Sequence, residues 1–267
     1  MVFEFLKGLD KDIQQSLLNQ IRDLWTHTST AIEGNTLSLG DTKFILEEGL
    51  TVSGKPIKDH QEVIGHAKAI ELIYSFVGRD LTETDLLNLH KAIQQEVVSD
   101  IYKPYGAWKV EPNGTYALDN NGKQVFIEYA LPQHVPKLMQ EVIGYINEMK
   151  SVSLQLEKAP KVYAKLHMGI VHIHPFWDGN GRIARLVANI PLLNSGLPPI
   201  IIATEDRRDY LETLARYQRK IGSIDSSTGV WPQKDLLSEF VEFCSKSYEA
   251  TKELIDNAKA QQDKQNR

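Results

Sequence analysis

Between positions 174 and 185 the chain reads His-Pro-Phe-Trp-Asp-Gly-Asn-Gly-Arg-Ile-Ala-Arg. That run holds a proton acceptor, a carboxylate, two glycines and two guanidiniums. Pro175 disfavours helical geometry at the residue before it, so a preceding helix should stop at His174 and leave the imidazole in a loop. Gly179 and Gly181 permit positive φ and close backbone approach. A helix opening near Asn180 turns its unpaired N–H groups and the positive end of its dipole toward whatever sits there. Such a terminus cradles anions. Arg182 and Arg185 are three apart on one face, so both can reach phosphate oxygens. Asp178, just before the turn, can hold Mg²⁺ against the same phosphates.

The helix that delivers His174 is predicted from Pro160, at an N1 position, through Val171. The helix that carries the arginines is predicted from Asn180 to Asn194. Around them apolar residues recur at threes and fours. Ile13, Leu17, Ile21, Leu24 and Trp25 mark a helix over Asp12 to Glu33, stopped at Gly34-Asn35. Asp41 is expected to cap a short helix that Gly49 ends. Further helices are predicted over Asp59 to Val77 and over Thr82 to Val97, the latter capped by Thr82 with Asp85 at N3. Val135, Leu138, Val142 and Ile146 mark another, and the last two cover Thr204 to Ile221 and Pro232 to about Ala260, with Gln261 to Arg267 a solvated tail. Between Trp108 and Ile127 the pattern turns to short β-prone pieces punctuated by Asn113-Gly114 and Asn121-Gly122. The expectation is an all-α chain, one compact helical bundle with an inserted β-hairpin.

Composition narrows the function classes. With 267 residues, 30 Lys+Arg and 35 Asp+Glu, the net charge is −5, which argues against nucleic acid as the main partner. Hydrophobic residues at 42% and charged residues at 24% suit a globular chain with a core. The longest apolar run, Ile200 to Ala203, is too short to span a membrane. Glu4, Lys7 and Asp10 interrupt any secretory apolar stretch, and the single cysteine, Cys244, allows no internal disulfide. The expected address is the cytoplasm.

The run from His174 to Arg185 resembles the signature of the Fic (Fic/Doc) family, His-Pro-Phe-x-Asp/Glu-Gly-Asn-Gly-Arg-x-x-Arg, with every specified position filled. The broader similarity extends from about Trp25 to Arg219. The resemblance implies a Fic-type bundle and a protein adenylyltransferase that moves AMP from ATP to a Ser, Thr or Tyr hydroxyl of a target protein, with pyrophosphate leaving. It implies His174 as the base, Asp178 as the Mg²⁺ ligand, Gly179, Asn180, Gly181 and Arg182 as phosphate holders, and Arg185 at the γ-phosphate. Tyr210 matches an aromatic that lines the adenine pocket. The hairpin matches the family's flap, which holds a target segment by strand addition, with Val110 to Tyr116 near the target. Upstream, Ser29-Thr30-Ala31-Ile32-Glu33-Gly34 resembles the family's inhibitory helix, here about residues 12–35. Ser29 and Glu33 share a helix face, so Glu33 can pair with Arg185 and keep it from the nucleotide. The implied organisation is an N-terminal inhibitory region over 1–80, a Fic core over 81–222 with the flap at about 108–127, and a C-terminal helical extension over 223–267.

Rival readings are open at this stage. The same residues would serve the reverse reaction, with Glu33 orienting a water that removes AMP, or a nucleotide-sensing module without turnover. His167, His172 and His174 near Asp178 suggest a hydrolytic zinc or iron cluster, but five-residue spacing puts His167 and His172 about 140° apart on a helix, so they read as packing or hydrogen-bonding residues. Gly49 to Pro56 nearly spells a P-loop, yet Pro56 replaces the Mg²⁺-binding hydroxyl and a turn is expected. Lys158, Lys161 and Lys165 read as a solvated face, Phe176 as a core anchor, and Phe240, Phe243 and Tyr248 as packing either on the core or on a second copy in a homodimer. Self-modification is a further expectation, and the residues after Pro232 suggest no DNA-binding module.

Overall fold

The computed structural model describes residues 3–94, 100–118 and 122–265. Its elements run α1 (Lys11–Ile32), α2 (Leu39–Glu48), α3 (Ile57–Phe76), α4 (Glu83–Ile93), β1 (Gly114–Leu118), β2 (Gln124–Glu128), α5 (Val135–Met149), α6 (Ala159–Ile173), α7 (Asn180–Val187), α8 (Ile190–Asn194), α9 (Arg207–Ile221) and α10 (Ser238–Gln265). The all-α bundle with one inserted hairpin is therefore the architecture. One hydrophobic cluster runs from Phe3 to Ala258 and a smaller one joins Leu37, Ile45 and Val63.

Helix α6 is the axis of the molecule. From Ala159 to Ile173 every residue but Lys161 and Lys165 is buried, a pattern possible only for a helix with neighbours on all sides. It packs on α5, α7, α8 and α10. Gly169 admits the loop before α10, since a Cβ there would stand 2.7 Å from Val230 Cγ1 and 2.9 Å from Trp231 Nε1. Lys165 departs from the expected solvated face: its ammonium lies 3.5 Å from the Tyr145 ring centre and 4.4 Å from that of Trp231, a cation–π seat. Helix α1 presents Ile13, Leu17, Ile21 and Trp25, each at most 2% exposed, to α3 and α10.

Several boundaries differ from the sequence reading, each for a visible reason. Ser38, not Asp41, caps α2; Asp41 is the N3 partner that returns a bond to the Ser38 N–H in a capping box. The same device opens α4 at Thr82 and Asp85 as predicted; the expected end at Val97 lies outside the described residues. The predicted helix from Asn180 to Asn194 is two helices. Pro191 lacks an N–H and its ring would press on the Val187 carbonyl, while Asn189 turns its amide to Arg185 O, Ile200 O and Ile200 N–H. Helix α9 begins at Arg207 rather than Thr204. Helix α10 continues through the expected tail to Gln265, because Gln262, only 6% exposed, accepts from the Asp10 N–H at 2.6 Å and donates to Asp10 Oδ2 at 2.8 Å.

The hairpin pairs Gly114 with Glu128 through Leu118 with Gln124, antiparallel. Asn113-Gly114 is thus no turn: Gly114 begins β1, and residues 108–113 form an irregular strap. Asn121 lies outside the described residues. The near-P-loop segment is a C-cap at Gly49, φ 68°, followed by a turn. No helix among the described residues is long and apolar enough to cross a membrane.

Candidate active site

Helix α6 ends in His174, which adopts φ 53° and ψ 60°, the one positive φ at a non-glycine residue among those described. A left-handed conformation costs a residue with a Cβ about 1–2 kcal/mol, and such outliers gather at functional sites. His174 N–H still donates to Ile170 O at 2.9 Å, closing the helix. Its Nδ1 lies 3.3 Å from Val171 O; Nδ1 therefore carries the proton and Nε2 the lone pair. The ring stacks on Tyr129 with centroids 3.9 Å apart and 2° between planes. Burial lowers the His174 pKa to about 4, with the Lys109 charge acting the same way against the Val171 bond, Glu33 and Asp178. The imidazole is neutral at pH 7, as a base must be.

The loop to α7 is braced from inside. Phe176, fully buried, stacks on His90 at 4.1 Å and tilts against Trp108 at 5.0 Å. Its N–H donates to Asn180 Oδ1 at 2.8 Å, and its carbonyl accepts from Asn180 Nδ2 at 2.9 Å. Gly179 caps α7 at φ 78°, and a Cβ there would also strike Ile93 Cδ1 at 2.8 Å.

At the cradle itself stands a carboxylate. A Cβ on Gly181 would lie 2.5 Å from Glu33 Oε1, so Glu33 rests on the backbone of the first turn of α7, where the peptide dipoles favour an anion. Arg185, 2% exposed, donates from Nη2 to Glu33 Oε1 at 2.6 Å and to Ser29 O at 2.8 Å, from Nε to Ser29 Oγ at 3.0 Å, and from Nη1 to Tyr210 OH at 3.1 Å. Burial would raise the Glu33 pKa, but Arg185, then Arg182 and Arg207, outweigh it and hold the group below the usual carboxylate range. Tyr210 OH passes the chain on to His167 Nε2 at 3.0 Å. Arg182, 5% exposed, reaches Asp178 Oδ2 at 3.3 Å, and its Nε is buried with no hydrogen-bond partner among the described residues.

A cavity of about 580 Å³ is lined by Glu33, Thr115, Tyr116, Tyr129, His174, Gly181 and Tyr210 together with other side chains of α9, while Asp178, Gly179, Asn180, Arg182 and Arg185 are not among its lining residues. The structure thus brings His174, Gly181, Tyr210 and Glu33 to one space, with Ser29 behind Arg185. Tyr116 is 65% exposed and Val110 52%; Thr115 to Ala117 of the hairpin face the same cavity. His167 and His172 are buried and hydrogen-bonded, the latter from Nε2 to Gly222 O at 2.8 Å. Phe240 and Tyr248 are core residues, 1% exposed each, and the partly buried Phe243 packs on Phe240 and Tyr210. Sequence reasoning missed Lys109, Asn113, Tyr129 and Arg207. Arg207 Nε donates to Ile32 O at 2.7 Å and secures the end of α1; no periodicity or motif marked it.

Residues 80–192 match the pattern that defines the Fic/DOC family. The chain is 32% identical over 231 residues to protein adenylyltransferase fic-1 of Caenorhabditis briggsae, covering 77% of this chain and 42% of that protein. It is 32% identical over 196 residues to the fic-1 of Caenorhabditis elegans, covering 72% and 35%. It spans less than half the length of these curated relatives. Among solved structures, a Fic domain containing signaling protein from Bacteroides thetaiotaomicron superposes with a TM-score of 0.81 at 29% identity, covering 96% of this chain and 93% of that one. Residues 134–508 of C. elegans Fic-1 give 0.72 at 25% identity, covering 97% and 69%.

Proposed function

The chain carries a Fic/DOC-family domain, and from that premise we propose that it is a protein adenylyltransferase: it transfers AMP from ATP to a hydroxyl side chain of a target protein and is restrained by its own Glu33. The observation that carries the reading is the meeting of a neutral, left-handed His174 and the α7 anion cradle on one cavity.

In this reading the triphosphate lies along the amino end of α7, on the backbone of Gly179, Asn180 and Gly181, with Arg182 and Arg185 meeting its oxygens. The target's hydroxyl, presented along β1 by strand addition, attacks the α-phosphorus. His174 Nε2 takes the proton as the O–P bond forms, and the bond to the β-phosphate oxygen breaks with pyrophosphate leaving in line. Asp178 suits Mg²⁺: its side chain is 50% exposed, bordering the cradle through Arg182. No three His, Cys, Asp or Glu converge among the described residues, so the ion's other ligands would be phosphate oxygens and water, its usual company. When bound it would neutralise charge on the phosphates.

Glu33 supplies the restraint. It occupies the cradle and takes the Arg185 donor that a γ-phosphate requires, so ATP can enter only with its terminal phosphate displaced. Tyr210 lines the same cavity with its hydroxyl committed to Arg185 and His167. The chain's acidic balance, a net charge of −5, supports a protein target over nucleic acid. Incubation of the Glu33→Gly chain with α-labelled ATP, Mg²⁺ and a lysate tests the proposal: label retained on a protein supports transfer, and nucleotide bound without retained label refutes it.

A second reading, removal of AMP from a modified protein, is favoured by Glu33 and His174 lining the same cavity, where the carboxylate can orient a water. Adenylylated target supplied to the chain would release AMP in a Glu33-dependent manner; no release ends that reading.

A further inference from the structure

The backbone on both sides of His174 is tied to the irregular stretch 108–113 that leads into the hairpin. The Lys109 N–H donates to Pro175 O at 2.8 Å. Its Nζ donates to Ile173 O at 3.3 Å and to Asn113 Oδ1 at 2.5 Å, and Asn113 Nδ2 donates to Phe176 O at 3.2 Å. Lys109 is only 3% exposed. Withdrawing an ammonium from water to reach a backbone carbonyl is costly, and the turn it meets is itself strained. Left alone, a residue before proline prefers extended backbone, and the shift would swing the carbonyls that the strap holds. Asn113 also accepts from the Tyr129 N–H through its carbonyl, at 3.2 Å, so the ring that stacks on His174 hangs from the same strap.

We propose that Lys109, with Asn113, is the positioning residue for the base: it clamps the turn from Ile173 to Phe176 so that His174 stays left-handed and stacked on Tyr129. The inference rests on the reading of His174 as base, and its test separates the two. The charged groups acting on His174 are Lys109 from the strap, Glu33 from α1 and Asp178 from the loop before α7. Lys109 opposes imidazolium formation and the two carboxylates favour it. Burial brings the lysine itself down to about 7, with Glu128 opposing, so it is charged throughout the acid range in which His174 titrates.

The experiment uses the full chain with Glu33→Gly as parent, and compares Lys109→Met, which keeps the stem and removes donors and charge. The expected result is a fall in kcat of about 10- to 100-fold, part of what a placed base contributes, with KM for ATP within about twofold. The acid limb of the kcat profile and the His174 titration followed by NMR should both move up by about one pH unit, and Lys109→Arg should restore both. A kcat within about threefold of the parent, with the His174 titration unmoved, overturns the proposal. Should the parent show no transfer, the transferase reading falls alone: changed His174 ring shifts in Asn113→Ala, which leaves the lysine charge in place, still support positioning, and unchanged shifts end it. If Lys109→Met does not fold, Asn113→Ala severs the strap from Phe176 and keeps the lysine charge. It should lose about tenfold in kcat and change the His174 ring shifts; an unchanged kcat with unchanged shifts overturns the clamp.

Discussion

Replacing Glu33 by glycine removes one partner of Arg185 and leaves the rest: the guanidinium keeps Ser29 Oγ, Ser29 O and Tyr210 OH. The perturbation is therefore local. A hydrogen bond to a charged group contributes about 1.5–3 kcal/mol. The Glu33 side chain is 40% exposed, and solvent screening holds the pair to the lower part of that range, about 1.5–2 kcal/mol. If productive ATP binding must break this bond, its removal raises transfer by about 10- to 30-fold, at 1.36 kcal/mol per decade. Glu33→Gln, which keeps a hydrogen-bonding oxygen without the charge, should fall between. The assay is intact-protein mass spectrometry after incubation with ATP and Mg²⁺, counting AMP added to the chain or to lysate proteins, with His174→Ala in the Glu33→Gly background as the blank. A gain below about threefold would show that the pair does not limit the reaction. A gain that survives His174→Ala would refute the assignment of the base.

Other outcomes follow from the same contacts. His174→Gly relieves a left-handed conformation of about 1 kcal/mol, so calorimetry should find a melting temperature at or up to a few degrees above the parent's while transfer falls at least about 100-fold; a large drop in melting temperature contradicts the strain. His90 and His172, both fully buried, are held neutral by burial with pKa values lowered to about 4. Because the unfolded chain takes protons near 6.5 and the folded chain does not, their contribution is complete above that pH. It is lost as pH falls from 6.5 toward 4, at up to about 1.4 kcal/mol per unit for each histidine; denaturant titrations at pH 7 and 5 should show the decline. Tyr210→Phe removes the hydroxyl between Arg185 and His167 and should cost about 1–2 kcal/mol in the same titration. Removal of Mg²⁺ by chelator should abolish transfer, read as loss of AMP added in the mass-spectrometric assay, and restored Mg²⁺ should recover it.

The arrangement of α7 was legible because each step is local. Pro175 ends a helix, the glycines permit a turn and a close approach, and Asn180 opens the next helix whatever the rest of the chain does. Glu33 against Arg185 was legible only through the resemblance, since 152 residues separate the partners. What sequence could not give were contacts made by groups without a pattern. Lys109 follows a tryptophan in an irregular stretch, and nothing in its spacing distinguishes it from a solvated lysine until its ammonium meets Ile173 O and Asn113 Oδ1. Asn113 carried a hairpin-turn signal because it precedes glycine; its amide is instead spent on Lys109 and Phe176. The long helix from Asn180 failed at Asn189, where tertiary bonds to Ile200 outcompete helical continuation.

The pair of hydrogen bonds between the Phe176 backbone and the Asn180 amide has a consequence for how this chain can vary. It closes residues 176–180 into a small ring whose circumference is set by covalent geometry. The interval from imidazole to glycine turn is a fixed gauge, and one inserted or deleted residue anywhere inside it breaks the ring and resets the distance. Side chains of the hairpin and of α9 that line the cavity can be exchanged without altering that gauge.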